Sequence, residues 1–180
     1  MELVSVAAVA ENGVVGADGG VPWRYPADVE QYRARVADAP VALGRPTFES
    51  MRSNPAGRAR VVLSRTERSH DDPDAYHAGG VVEAVSVARS LDAGTLFVLG
   101  GATVYALFQP HLDRMVLSRV EGTYAGDAFY PEYEPAEWTL VERTPYDGFA
   151  VEELRRRGDP EPVPDGDTGE EATGRRHAAE

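Results

Sequence analysis

The sequence predicts an α/β fold: a central, mostly parallel sheet with helices on both faces, extended by a C-terminal antiparallel hairpin. Two observations lead there. Short apolar runs of strand length alternate with helical stretches between residues 2 and 120, the pattern of strands joined by crossover helices. The last two strand-like runs, near residues 138–143 and 149–157, have no helix between them, so they pair antiparallel at an edge.

The elements follow in order. Residues 2–10 (ELVSVAAVA) are short, apolar and valine-rich, and read as a buried strand. A glycine-rich loop covers residues 12–23. Pro26-Ala27-Asp28 opens a helix to about residue 37, with proline in the first turn and an acid close behind. Val41-Ala42-Leu43 is a second strand, followed by a short helix over residues 46–51. Val61-Val62-Leu63-Ser64 is a third strand, and residues 70–74 form an acidic turn. Residues 82–91 are helical, 95–99 a strand, 102–109 a helix and 114–120 a strand.

From Gly158 the composition changes. The last stretch holds three Pro, four Gly and seven acids, and has too little apolar surface to offset the entropy of ordering. The expected organisation is one catalytic domain over residues 1–157 and a disordered acidic tail over 158–180.

Composition excludes several classes. The 180 residues contain no Cys, which removes disulfides, thiolate metal sites and a thiol nucleophile. All basic residues are Arg, and the net charge is −12. Such a charge repels phosphate backbones, so nucleic acid is not an expected partner. Self-repulsion of this size destabilises a compact chain unless salt screens it, so a salt-adapted protein is expected. No apolar run has the length of a membrane span, and no basic region precedes the first apolar run, so a cytoplasmic location without membrane contact is expected.

Three constellations carry chemistry. The first runs from Gly16 to Asp28: a glycine-rich loop ends in Pro22-Trp23, and a carboxylate follows at a helix start. Spacing alone leaves Asp28 open between a ligand-binding group and an acid complementing the helix dipole, and Trp23 open between a site residue and an aromatic plug. The second is Leu43-Gly44-Arg45-Pro46-Thr47, a strand end turning into a helix N-terminus, which suits an anion. The third is Leu99-Gly100-Gly101-Ala102-Thr103-Val104-Tyr105, a strand, two glycines and a helix start, a physical recipe for seating a pyrophosphate that equally describes a tight turn. It lacks the full G-x-G-x-x-G fingerprint.

Taken together, the order and spacing of these segments resemble dihydrofolate reductase over nearly all of residues 2–157. The resemblance is carried by Val6-Ala7-Ala8-Val9-Ala10, Val14-Val15-Gly16, Pro22-Trp23, Pro26-Ala27-Asp28, Gly44-Arg45-Pro46-Thr47-Phe48-Glu49-Ser50, Gly57-Arg58, Leu63-Ser64-Arg65, Gly100-Gly101 through Tyr105, and Gly126-Asp127. The acidic, Lys-free composition is similar to the haloarchaeal members.

The resemblance implies NADPH-dependent reduction of 7,8-dihydrofolate to tetrahydrofolate by a cytoplasmic monomer. It implies that Asp28 grips the pterin and favours its protonation, and that Trp23 positions a water and closes the loop. It places Val6, Ala7, Tyr32, Met51, Leu99, Tyr105 and Ser118 around the substrate, and Arg58 on the carboxylate of its glutamate tail. Toward the cofactor it places Ala8, Val15, Gly16, Gly44, Arg45, Pro46, Thr47, Leu63, Ser64, Arg65, Gly100, Gly101, Ala102, Thr103 and Val104. Arg45 with Ser64 and Arg65 would surround the adenosine 2′-phosphate, the Gly100–Gly101 peptide would be cis, and Asp127 would latch the loop ending at Trp23. Ser118 stands where the family usually has Thr, Tyr32 where it has Phe, and Pro55-Ala56-Gly57-Arg58 where it has Leu-Pro-Gly-Arg. Two alternatives remain. One is a pterin or pyrimidine reductase of riboflavin-pathway type, against which the pairing of Asp28 with Arg58 argues. The other is a non-catalytic nucleotide-binding module.

Overall fold

A computed structural model describes residues 1–67 and 69–166. Its centre is β1 (Glu2–Ala10), flanked by the parallel strands β6 (Thr95–Val98) and β7 (Arg114–Val120). Beyond β6 lie β3 (Pro40–Gly44), β4 (Ala59–Leu63) and β5 (Ala75–Ala78), all parallel. Beyond β7 come β10 (Phe149–Arg156), antiparallel to β7, and β9 (Trp138–Pro145), antiparallel to β10, which completes the order β5-β4-β3-β6-β1-β7-β10-β9. The mostly parallel sheet and the edge hairpin therefore stand as the sequence predicts.

The helices are α1 (Pro26–Val36), α2 (Arg45–Ser50), α3 (Val81–Ser90) and α4 (Ala102–Phe108). They cover both faces, and each face has its own core. One core gathers Val61, Leu96, Phe108 and Leu117; the other gathers Val36, Val41, Phe48 and Val116. This explains the uninterrupted apolar runs: β3 and β4 are buried on both sides. Arg60 is the exception within β4. It is 6% exposed, and its guanidinium is held bidentately by Asp72, with Nε–Oδ2 at 2.9 Å and Nη2–Oδ1 at 2.8 Å. That hydrogen bonding holds the Asp72 carboxyl below the usual carboxylate range.

The alternation of strand and helix missed three strands. β5 follows the acidic turn directly. β2 (Val14–Gly16) lies inside the glycine-rich loop and pairs with the two-residue β8 (Ala128–Phe129). Gly126 permits that pairing: a Cβ there would stand 2.4 Å from Val14 Cγ1 and 2.6 Å from Gly16 O.

Beyond Gly158 the described residues run on to 166. Residues 158–166 have a defined place along the body. The Glu161 amide donates to Pro110 O at 2.9 Å, Asp165 pairs with Arg89 at 3.0 Å, and Val163 packs against the core. Prolines at 160, 162 and 164 keep the segment extended before it docks, so few contacts suffice to order it. The remainder of the expected tail, 167–180, lies outside the described residues.

Candidate active site

The parallel strands end on one side of the sheet, and there a cleft of about 700 Å³ opens. Its floor is β1 (Val6, Ala7, Ala8). One wall is α1 with the loop before it (Trp23, Asp28, Tyr32); the other is α2 and the turn after it (Thr47, Ser50, Met51). Leu99, Tyr105 and Ser118 close the back. The lining is largely apolar, as heterocycle sites generally are.

Asp28 is the acid set into that lining. Pro26 starts α1, which puts Asp28 in its first turn, and the helix face turned to the sheet leaves the residue 9% exposed. Its Oδ1 accepts from the Ser118 hydroxyl, itself buried on β7, and from the Gln31 amide at 2.9 Å. Among the described residues no protein group bonds Oδ2, so one carboxylate oxygen is anchored and the other is available to a ligand.

The remaining polar groups at the back are already engaged. The Tyr105 hydroxyl donates to Val6 O at 2.7 Å, and burial pushes that phenol well above its ordinary range, so it stays neutral. What Tyr105 offers the cleft is its ring rather than its hydroxyl. Tyr130 beside it meets Ser5 Oγ at 2.6 Å and is likewise pushed up by burial.

Trp23 packs edge-on against Tyr124, ring centroids 5.1 Å apart. Asn12 fixes Tyr124 by a reciprocal pair, Nδ2 donating to Tyr124 O at 2.8 Å and Oδ1 accepting from Tyr124 N at 3.4 Å. The expected Asp127 latch is made by its backbone, whose N–H donates to Gly16 O at 3.2 Å.

The residues expected around the substrate all line the cleft except Arg58. Arg58 precedes β4 at its amino end, whereas the cleft opens at carboxyl ends. Its guanidinium donates to Asp38 O at 3.1 Å and Leu91 O at 2.8 Å and borders a separate hollow. The cationic side chains that do line the cleft are Arg24 and Arg33, the latter 5.8 Å from the Tyr32 ring centre. Spacing gave no sign of them, because an arginine in a loop (Arg24) or on a helix (Arg33) reads as solvent-facing. Gln31 was missed because a polar residue on a helix reads the same way.

The residues expected to hold a cofactor gather where β3, β4 and β6 end. Gly44 N donates to Gly100 O at 2.8 Å, which locks two strand–helix turns together, and the Gly100–Gly101 peptide is cis. Gly101 lies opposite Thr47, and Gly44 opposite Val104. Ala102 and Thr103 begin α4, and Pro46 lies in the first turn of α2; neither helix has a side-chain cap, so first-turn N–H groups are open to an anion. Leu63 ends β4, and Ser64 and Arg65 follow it. Arg45 is partly exposed and meets Glu49 only at 3.9 Å. Val15 and Gly16 sit on β2, and Ala8 is in the cleft floor. These groups fit a phosphorylated dinucleotide.

A doubly wound sheet with one buried carboxylate beside glycine-lined turns defines a nucleotide-binding α/β protein that seats a flat heterocycle against a dinucleotide. Comparison with known proteins narrows this class. A family model described as dihydrofolate reductase matches residues 2–153, and the chain belongs to that family. It is 41% identical to dihydrofolate reductase 1 of Haloarcula marismortui, over 91% of this chain and 96% of the relative. It is 35% identical to dihydrofolate reductase HdrB of Haloferax volcanii, over 87% and 84%. A solved dihydrofolate reductase from Enterococcus faecalis, complexed with NADP(H), superposes with a TM-score of 0.73 at 25% identity, covering 87% of this chain and 97% of that one.

Proposed function

We propose that this chain reduces 7,8-dihydrofolate to 5,6,7,8-tetrahydrofolate with NADPH. Family membership supports the reaction, and the single observation that carries the site is Asp28, a buried carboxylate with one free oxygen in an apolar cleft. When bound, the reduced nicotinamide supplies a hydride from its C4 to C6 of the pterin. Asp28 accepts from the 2-amino group and N3 of the pterin, which fixes the ring face toward the turns at Gly44 and Gly100. Its negative charge, little screened in the cleft, favours a proton at N5 without touching that atom. Trp23, braced by Tyr124, covers the ring and excludes water. The Tyr105 hydroxyl is committed to Val6 O and is not the proton source.

The cationic side chain that supports a carboxylated substrate tail is Arg33 rather than Arg58. Arg58 therefore no longer argues against a riboflavin-pathway substrate; family membership does. Arg45 and Arg65 support a 2′-phosphate and hence NADPH over NADH. We further read the protein as a monomer of the cytoplasm that binds no nucleic acid, adapted to high salt, with its acidic charge and haloarchaeal relatives in support. The test is loss of NADPH absorbance in molar KCl with dihydrofolate, with a tail-less pterin, and with a ribosylated aminopyrimidine. Dihydrofolate-dependent loss is expected. Turnover of the pyrimidine alone, or no turnover in any salt, contradicts the reading.

A further inference from the structure

Gln31 packs against Asp28 yet does not line the cleft. It lies three residues beyond Asp28 on α1, so both occupy one helix face, and its side chain reaches back toward the helix N-terminus. The amide nitrogen stands 2.9 Å from Asp28 Oδ1 and 3.4 Å from Ser118 Oγ. An ionised carboxylate only accepts, so the amide is oriented with its nitrogen inward. One N–H points to Oδ1 and the other toward Ser118 Oγ, whose own hydrogen goes to the same Oδ1. Serine lacks the β-branch that would hold its hydroxyl in one rotamer. An amide N–H facing Ser118 Oγ keeps that hydroxyl turned as a donor toward Asp28.

We propose that Gln31 is a positioning residue for the reduction: through this closed ring of hydrogen bonds it holds the Asp28 carboxylate in place, with Oδ2 aimed at the substrate. The proposal rests on the reading of Asp28 as the carboxylate that grips the pterin. Two donors on Oδ1 fix the carboxylate plane and leave Oδ2 to the ligand. The other titratable or charged groups sharing the cleft are Arg24, Tyr25, Glu30, Tyr32 and Arg33, from α1 and the loop before it, and Tyr105 from α4. Among the described residues none of their side chains hydrogen-bonds the Asp28 carboxylate; β7 contributes Ser118, and β1 contributes no charge to the cleft.

The test compares Gln31→Met, which removes the donor at similar volume, with Gln31→Glu, which keeps the shape and adds a carboxylate. The pH dependence of kcat and KM is measured for each, alone and combined with Asp28→Asn, and thermal unfolding reports folding. A carboxylate that loses its placement supports the proton at pterin N5 less well, so the alkaline fall of kcat should move to lower pH in Gln31→Met, by about half to one unit, and Gln31→Glu, which no longer donates to Asp28, should lose kcat as well. At pH 7, kcat should fall about three- to ten-fold in Gln31→Met, with KM changing less. A second readout needs no turnover: binding of a 2,4-diaminopyrimidine to the apoprotein, followed by tryptophan fluorescence, should shift its pH dependence in the same direction. In the Asp28→Asn background neither variant should add a further shift. Profiles that superimpose on wild type, or a shift that persists without Asp28, overturn the role of Gln31. Full wild-type turnover by Asp28→Asn alone refutes instead the reading of Asp28 beneath it.

Discussion

A carboxylate at a helix start is ordinary; one at 9% exposure beside an unbranched hydroxyl and an amide is not, and only the tertiary structure distinguishes them. Asp28 and Trp23 were legible because a glycine-rich loop, Pro-Trp and a helix start follow in order. Arg58 was not, because a long cationic side chain goes wherever free carbonyls stand, and Asp38 and Leu91 offer two at the amino ends. Arg58→Ala should therefore leave KM for dihydrofolate within about two-fold while lowering stability by about 1–2 kcal/mol for the lost bonds. Arg33→Ala should raise KM several-fold for dihydrofolate and not for a tail-less pterin. Steady-state kinetics on both substrates check the pair. Arg60 was equally hidden within an apolar strand. Asp72→Ala leaves its guanidinium with Asp74 Oδ2 at 3.8 Å, and should cost about 2 kcal/mol, below the ~3–5 kcal/mol of a fully isolated buried pair. The Asp72 carboxyl is depressed in the fold, so its contribution is present above the unfolded value of about 4 and fades as pH falls through the lower folded value. Denaturant titrations should show the wild-type and Asp72→Ala stabilities converging below about pH 4 and separate at pH 7.

At the scale of elements, long buried strands and helices with proline starts announced themselves, since their periodicity is internal. β2 and β8 did not, because three residues and two residues carry no period, and their pairing joins segments more than a hundred residues apart. That small sheet nevertheless positions the cover of the cleft: it holds the loop that ends at Trp23 against the segment carrying Tyr124. Gly126→Ala places a methyl inside contact distance of Val14 and Gly16 and should pry the two strands apart. We expect kcat to fall about ten-fold and protease cleavage within residues 17–22 to rise, with a smaller change at β7 and β10. Unchanged proteolysis of the loop would show that β2–β8 pairing does not hold it. β9 is a second case: Trp138 is its one buried residue, packed under Arg156 at 4.5 Å, so β9 adds a single ring to the core and otherwise rests on its pairing with β10.

For the whole molecule, composition foretold charge but not the placement of residues 158–166, which dock because an extended proline segment loses little entropy on binding. Net charge −12 opposes compaction at every ionic strength that leaves it unscreened. Raising KCl from about 0.1 M to above 1 M shortens the screening length from about 10 Å to about 3 Å. The unfolding midpoint should rise by about 5–10 °C, equivalent to ~2–3 kcal/mol in a chain of this size. A flat or falling midpoint would leave the acidity without a role in stability. The reaction itself depends on a charge buried at one point of the sheet, and the most direct test is the single-turnover rate of hydride transfer to dihydrofolate in Asp28→Asn, followed from pH 5 to pH 9. At pH 7 the rate should fall at least 100-fold, about 2.7 kcal/mol of barrier, and recover partly toward pH 5 as solvent protonates the substrate. A rate within two-fold of wild type at every pH would contradict the account.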